Sequence, residues 1–397
     1  MTPSNRPDPS RCQIVGLGTA VPRHEVTQTD ALAMSREIIC ENKRQDRLLS
    51  MLFRKSGVQR RRTVVPYRIA YQWKQESDVG GRGPSTGQRM SLYQQFAPSL
   101  AGEACRSAFG MDALMEEIES KQTVLSKRVL QPRDVTHLVT VSCTGFSAPG
   151  LDWFLQESLG LPTTVQRVQV GFMGCQGLIN GFRVARGLVA ADPDAVVLIC
   201  AVELCSLHYR LDWQDEAMIG NALFADGAAA ALLAGPEHMA LPAGPQHIDS
   251  TRDRALSVID SASIRIPLSG DQMSWRIGDY GFDMELTGQV PVSIQGHLRE
   301  WLAGWLGRHH VSFDDIVGWY VHPGGPRILD ATEASLGLCP SKLAASRRVL
   351  ASRGNMSSPT VAFVLQEEIA AKERVPQGPQ LMLAFGPGLV AEATLLS

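Results

Sequence analysis

Three apolar runs spaced by two helical stretches constrain this chain more than any other feature. His137 to Cys143 (HLVTVSC), Val165 to Val170 and Ala195 to Val202 (AVVLICAV) read as strands. Leu151 to Leu159 and Gln176 to Ala191, between them, read as helices. Strands with near-continuous apolar character are buried on both faces, and their alternation with helices indicates an α/β sheet. Before this series, Ile14 to Thr19 reads as a buried strand ending in a glycine turn, and Asp30 to Phe53 as helical. Thr63 to Gln95, polar and carrying Gly80, Gly81, Gly83 and Pro84, reads as an exposed loop. Pro98 to Phe109 reads as a helix with Pro98 in its first turn.

The Ala- and Gly-rich stretch Ala222 to Leu233 closes a first half, and a Pro/Gly linker from Gly235 to Pro245 opens a second. That second half shows strands around Ala255 to Ile266, a helix from Val290 to Leu306 and a strand at Val317 to Val321. A helix from Pro326, another from Ser358 to Lys372 and a last strand at Gln380 to Phe385 follow. At 397 residues the chain is long for one unit, given roughly 100–200 residues per domain. Residues 1–238 and 239–397 are the expected halves.

Three short strings carry the chemistry. Cys175 lies in Gly171-Phe172-Met173-Gly174-Cys175-Gln176-Gly177, between a strand and a helix. A thiol near a helix N-terminus meets unpaired N–H groups and the positive end of the dipole, which favours thiolate. His322 ends a strand and enters Pro323-Gly324-Gly325-Pro326, at the carboxyl edge where α/β clefts form. Asn355 follows Gly354 and precedes a helix. Alone, each has a structural explanation: a packed thiol, a satisfied histidine, a turn amide. Together they are the parts of a thiolate acyl-transfer site.

The rest narrows the class. A net charge of −2 argues against a large nucleic-acid face. The one basic cluster, Arg60 to Arg62 with Arg54 and Lys55, is either a solvated surface or a phosphate contact. No run approaches the ~20 apolar residues of a membrane span, and Met1 to Arg11 has no signal-peptide core, so the cytoplasm is expected. The 8 cysteines show no C-x-x-C spacing, so no metal site is expected.

These motifs resemble the type III polyketide synthases, the chalcone and stilbene synthase family. The matching strings are His322-Pro323-Gly324-Gly325-Pro326 with Ile328-Leu329-Asp330, Gly354-Asn355-Met356-Ser357-Ser358, Ala222-Leu223-Phe224-Ala225-Asp226-Gly227-Ala228, Cys143-Thr144-Gly145-Phe146 with Pro149-Gly150, and Phe385-Gly386-Pro387-Gly388. They run in family order from Ile14 to Glu392, and their flanks are similar to those of bacterial members. The resemblance implies a thiolase-like αβαβα fold of two related halves, a homodimer, and no resident cofactor. Coenzyme A thioesters, malonyl-CoA and an acyl-CoA starter, would be the substrates.

It also implies roles. Cys175 would carry the acyl chain, while His322 and Asn355 would hold the thioester oxygen during decarboxylation. Phe224 and Phe282 would be aromatic gates. His208, Cys205 and Ala148 would shape the cavity, Ala148 where plant enzymes place a methionine that reaches into the partner. Lys55, Arg54, Gly325 and Arg327 would serve the CoA end. Leu48 and Met51 stand where the family has two further basic residues. A pyrone, resorcinol or phloroglucinol-type product is expected. The alternatives are a single-condensation enzyme similar to ketoacyl synthase III, a papain-like hydrolase and a non-catalytic CoA-binding scaffold.

Overall fold

The structure, a computed structural model, describes residues 12–76, 82–110, 130–215, 217–238, 256–372 and 375–397. Nine strands form one mixed sheet: β1 (Cys12–Ala20), β4 (His137–Ser142), β5 (Gln166–Gly171), β6 (Val196–Leu204), β7 (Asp226–Ala234), β8 (Leu256–Arg265), β11 (Gly318–Val321), β12 (Gln380–Gly386) and β13 (Val390–Leu396). Two antiparallel strand pairs stand apart from it: β2 (His24–Thr27) with β3 (Arg60–Thr63), which two helices separate in the chain, and the hairpin of β9 (Met273–Gly278) with β10 (Gly281–Leu286).

The spatial order β5-β4-β6-β7-β1 is followed by β8-β13-β12-β11. In the first half β4 and β6 are parallel, and β6–β7 and β7–β1 antiparallel. The second half repeats this: β11 and β12 are parallel, and β12–β13 and β13–β8 antiparallel. The halves join through a short seam of Cys12, Gln13 and Ile14 paired with Val258, Ser257 and Leu256.

Eleven helices are described. They are α1 (Gln28–Ile39), α2 (Lys43–Lys55), α3 (Tyr67–Glu76), α4 (Thr86–Ala108), α5 (Leu151–Leu159), α6 (Gly177–Ala191), α7 (Ala217–Leu223), α8 (Val290–Gly307), α9 (Pro326–Leu336), α10 (Ala344–Arg353) and α11 (Thr360–Lys372). The period-2 alternation of the strands sorts side chains into layers. In β6, Val196, Leu198 and Cys200 face the cluster that contains Tyr93, Ala97 and Ala101 of α4. Val197, Ile199 and Ala201 face Leu178 and Phe182 of α6 and Val361 and Val364 of α11. That same central cluster holds Tyr320, Met382 and Ala384 of the other half. Beyond it, Leu298 and Leu302 of α8 and Leu329 of α9 cover Val321, Leu381 and Leu383. The result is a thiolase-like αβαβα sandwich with α6 and α11 as the middle layer.

Local propensity is overridden where packing demands it. β7 (DGAAAALLA) is alanine-rich, yet all nine residues are buried strand. Small side chains suit the close approach of α4: a Cβ on Gly18 in the neighbouring strand β1 would lie 2.3 Å from the Ala104 carbonyl oxygen.

The region expected to be a loop between Thr63 and Gln95 is largely helical, with residues 77–81 outside the described set. α3 fills Tyr67–Glu76, and α4 starts at Thr86, where Ser85 and Gln88 form a reciprocal capping box. Pro98 lies inside α4 rather than in its first turn. Asp30 to Phe53 divides into α1 and α2, because the Asn42 side chain accepts from the N–H groups of Arg44 and Gln45 and starts a new helix. A further strand, β13, follows Gly388 and closes the second half.

Candidate active site

Cys175 sits where β5 ends and α6 begins, inside a single 3-10 turn spanning Gly174–Gln176. Two residues with positive φ make that bend, Phe172 at 57° and Gly174 at 69°. A Cβ on Gly174 would lie 2.2 Å from Cδ of Pro387, and one on Gly386 would meet Gln176 Cδ at 2.7 Å. The nucleophile's turn is therefore clamped beneath Gly386-Pro387-Gly388. Gly174→Ala combines left-handed strain with overpacking and is expected to cost about 2–4 kcal/mol of stability. Thermal denaturation checks it; a variant with the parent melting temperature would show that the turn is not so confined.

His322 follows β11, with its backbone N–H donating to the Leu383 carbonyl at 2.8 Å. The residue is 1% exposed, and both ring nitrogens lack a partner among the described residues. Buried imidazole nitrogens are normally hydrogen-bonded, so this ring is free to act on a bound molecule. Asn355 lies between α10 and α11, just after Gly354, whose φ is 76°. Its backbone forms a bridge with Phe224: the Asn355 N–H donates to the Leu223 carbonyl, and the Ala225 N–H donates to the Asn355 carbonyl. The Asn355 Oδ1 accepts from the Ser357 N–H at 2.8 Å. That bond fixes the amide, so Nδ2 is left to donate into the cavity.

Cys175, His322, Asn355, Ser357 and Phe224 line one cavity of about 70 Å³. Burial pushes the Cys175 thiol up to about 11, against the lowering effect of hydrogen bonds from Ser357 and Asn355. Burial also pushes His322 down to about 3. Desolvation thus works against the thiolate that the backbone N–H groups of the turn favour. Both groups face the same cavity, and burial favours the neutral form of each.

Beneath the cavity is a carboxylate that sequence reading passed over. Glu203 is fully buried and accepts from the Cys143 N–H at 3.0 Å, the Thr144 hydroxyl at 2.7 Å and the Ser358 hydroxyl at 2.8 Å. Burial raises it to about 7, while these donors hold it down. It ties β6 to the segments after β4 and before α11. The available signal was a lone acid at the end of an otherwise apolar strand.

The cavity residues divide. Phe224 and Cys205 line the cavity, as expected. Phe282 does not: it lies one step back, 1% exposed, stacked on His208 at 4.1 Å. Met284, two residues on along β10, lines both the cavity and a smaller pocket behind it. His208 lines only that rear pocket. Its Nε2–H donates to the Thr144 carbonyl at 2.7 Å and its Nδ1 accepts from the Phe282 N–H at 3.0 Å, so both nitrogens are occupied. Trp275 was missed; its indole N–H donates to the Cys143 carbonyl at 2.8 Å and its ring walls both spaces. Ala148 lies outside the cavity, exposed on the face of Phe146.

A second pocket, of about 400 Å³, adjoins the cavity, the two sharing Leu286, Gly324 and Ile328 as wall. Lys55, Gly325 and Arg327 line it; Arg54 does not. The Arg60 to Arg62 cluster serves neither solvent nor phosphate as a unit. Arg61 is 0% exposed, donating to the carbonyls of Asn221 and Phe224 and to Gln28, with its guanidinium over the rings of Phe53, Tyr67 and Tyr209. Arg60 and Arg62 pair with Glu25.

The fold is of the thiolase type, and it brings a cysteine, a histidine and an asparagine to one cavity. Family models described as the N-terminal and C-terminal domains of chalcone and stilbene synthases match residues 5–236 and 258–397. A 1,3,6,8-tetrahydroxynaphthalene synthase from Streptomyces peucetius is 31% identical, covering 96% of this chain and 92% of the relative. A putative chalcone synthase from Bacillus subtilis is 28% identical, over 97% and 98% of the two chains. The crystal structure of PKS-I from the brown alga Ectocarpus siliculosus superposes with a TM-score of 0.81 at 30% identity, covering 97% of this chain and 98% of the other. The chain belongs to the chalcone and stilbene synthase family, the type III polyketide synthases. Among the described residues no helix is long and apolar enough to cross a membrane.

Proposed function

We propose that the protein extends an acyl-CoA starter by iterative decarboxylative condensation with malonyl-CoA and releases a cyclised polyketide. The observation that carries this reading is the convergence of Cys175, His322, whose ring has no partner among the described residues, and Asn355 on one cavity, beside a pocket lined by Lys55 and Arg327 that would serve as the tunnel for CoA. CoA would thread the tunnel with its phosphates toward Lys55 and Arg327. Cys175 transfers its proton to His322, attacks the starter thioester and releases CoA. Malonyl-CoA then places its thioester oxygen between His322 and Asn355. Loss of CO2 leaves an enolate whose oxygen both groups stabilise, each by roughly 3–4 kcal/mol. The enolate carbon attacks the acyl group on Cys175, and the longer chain returns to the sulfur for the next cycle.

The reaction so written needs no resident cofactor, and the cytoplasm, where free CoA thioesters accumulate, suits it. A pyrone, resorcinol or phloroglucinol-type ring is the product class. A homodimer fits the surface as well. β5 is an edge strand, and Phe146, Trp153, Phe154, Val168 and Phe172 beside it are all more than a third exposed in the single chain. Such an edge invites a second copy.

The test is incubation with malonyl-CoA and a panel of acyl-CoAs, with products read by mass spectrometry. Starter-dependent CO2 and polyketide are expected; a single 3-ketoacyl product with every starter would sink the iterative reading. The proton transfer has its own signature. In His322→Gln the thiol must ionise alone, with its folded pKa raised, so its alkylation by iodoacetamide should climb tenfold per pH unit up to about 11. At pH 7 that rate is expected to fall about 100-fold or more below the parent. Equal rates would mean that His322 is not the proton acceptor.

A further inference from the structure

Three of the eight cysteines, Cys143, Cys175 and Cys205, face the same cavity. The proposed condensation uses one. Cys143 is the better placed of the other two. The Gly174 N–H donates to its sulfur at 3.1 Å, and its own S–H lies 3.8 Å from the Gly174 carbonyl, so it sits against the residue that precedes Cys175. Cys205 forms no hydrogen bond with the nucleophile's turn among the described residues, although it lies near enough to feel a charge on Cys175. Another thiol neighbour pair, Cys105 with Cys200, lies in the core beneath α4, both at 0% exposure. Neither thiol lines the cavity or the two pockets described above, which makes the pair an internal comparison.

We infer that Cys143 is a resolving thiol for Cys175, closing a reversible Cys143–Cys175 disulfide when a hydroperoxide enters the site. The Cys175 sulfur attacks the peroxide: an S–O bond forms, the O–O bond breaks, and the departing oxygen leaves as an alcohol or water with the proton held by His322. The Cys143 sulfur then attacks the sulfenic sulfur of Cys175. An S–S bond forms, the S–O bond breaks, and the hydroxide leaves as water with the Cys143 proton. One peroxide is reduced by two electrons and two thiols are oxidised by two, so the step balances. Without a resolver, a sulfenic acid goes on to sulfinic acid, which thiols do not reduce. The disulfide would hold the condensing site closed but recoverable.

This inference rests on Cys175 being the nucleophile of the proposed reaction, but not on what is condensed. The experiment uses the full chain carrying Cys339→Ser, which removes the exposed cysteine. It is titrated with hydrogen peroxide, then examined by intact mass and peptide mapping, before and after dithiothreitol. The expected result is a mass lower by two hydrogens, a cross-linked pair of peptides containing Cys143 and Cys175, and full return of Cys175 alkylation after reduction. Adding Cys143→Thr should convert this to a gain of two oxygens on Cys175 and a permanent loss of alkylation. A parent protein that gains two oxygens with no cross-link overturns the inference, as does a cross-link from Cys175 to Cys205 or one confined to Cys105 and Cys200. A Cys175 inert to both peroxide and iodoacetamide would sink the proposed function too, which separates the two failures.

Discussion

Cys175→Ala is expected to abolish polyketide formation, by at least about 10³-fold, while leaving decarboxylation of malonyl-CoA in place. The sulfur is the only atom removed, and it carries the growing chain. The groups proposed to meet the thioester oxygen, His322 and Asn355, come from other elements and are untouched. Malonyl-CoA should therefore still bind and lose CO2, but the enolate finds no acyl partner and is protonated to acetyl-CoA. The void left by one sulfur is small and its cost to folding is a fraction of typical core truncations. The measurement is CO2 and acetyl-CoA release set against polyketide yield. Undiminished polyketide from the variant would dismiss Cys175 as the carrier.

Asn355→Asp should do the opposite and remove both activities, by about 10²–10³-fold at pH 8. Asp keeps the oxygen that accepts from the Ser357 N–H, so the turn after Gly354 retains its bond. What disappears is the donor, replaced by a charge facing the forming enolate. The sign of the pH response follows. Protonation restores a donating O–H, so the variant should gain on the parent as pH falls toward the range of a buried carboxyl. Decarboxylation within tenfold of the parent at pH 8 would show that Asn355 does not meet the oxygen.

Much of this site was legible because each reactive side chain lies in a stretch whose glycines or prolines are demanded by backbone geometry. Gly174 is boxed in by Pro387, Gly354 needs positive φ, and Gly325, at φ 152°, precedes Pro326 and α9. Strings so constrained announce themselves. Phe282 was harder to place because residue type does not report position along a hairpin strand: Phe282 and Met284 share a face of β10, and only the surrounding packing puts Phe282 against His208 and Met284 at the cavity. Glu203 escaped notice because its meaning lies in donors from Cys143, Thr144 and Ser358, scattered along the chain. Arg61 misled for the same reason, since a basic triplet gives no hint that its middle member is enclosed by aromatic rings and carbonyls. The fold class followed from the run of strands and helices. The helix at Tyr67–Glu76 was lost to the glycines beyond it, and β7 read poorly because alanine does not favour strands.

The β9–β10 hairpin has a consequence for how such an enzyme diversifies. It belongs to neither half of the nine-stranded sheet, yet Met273, Ser274, Trp275, Met284 and Leu286 all come from it to wall the cavity. Cys175, His322 and Asn355 are anchored in the sandwich itself. Selection can therefore redraw the shape presented to a substrate by editing one short ribbon, with the reacting atoms left on a frame that does not move. Inheritance of chemistry and invention of specificity are assigned to different pieces of the same chain.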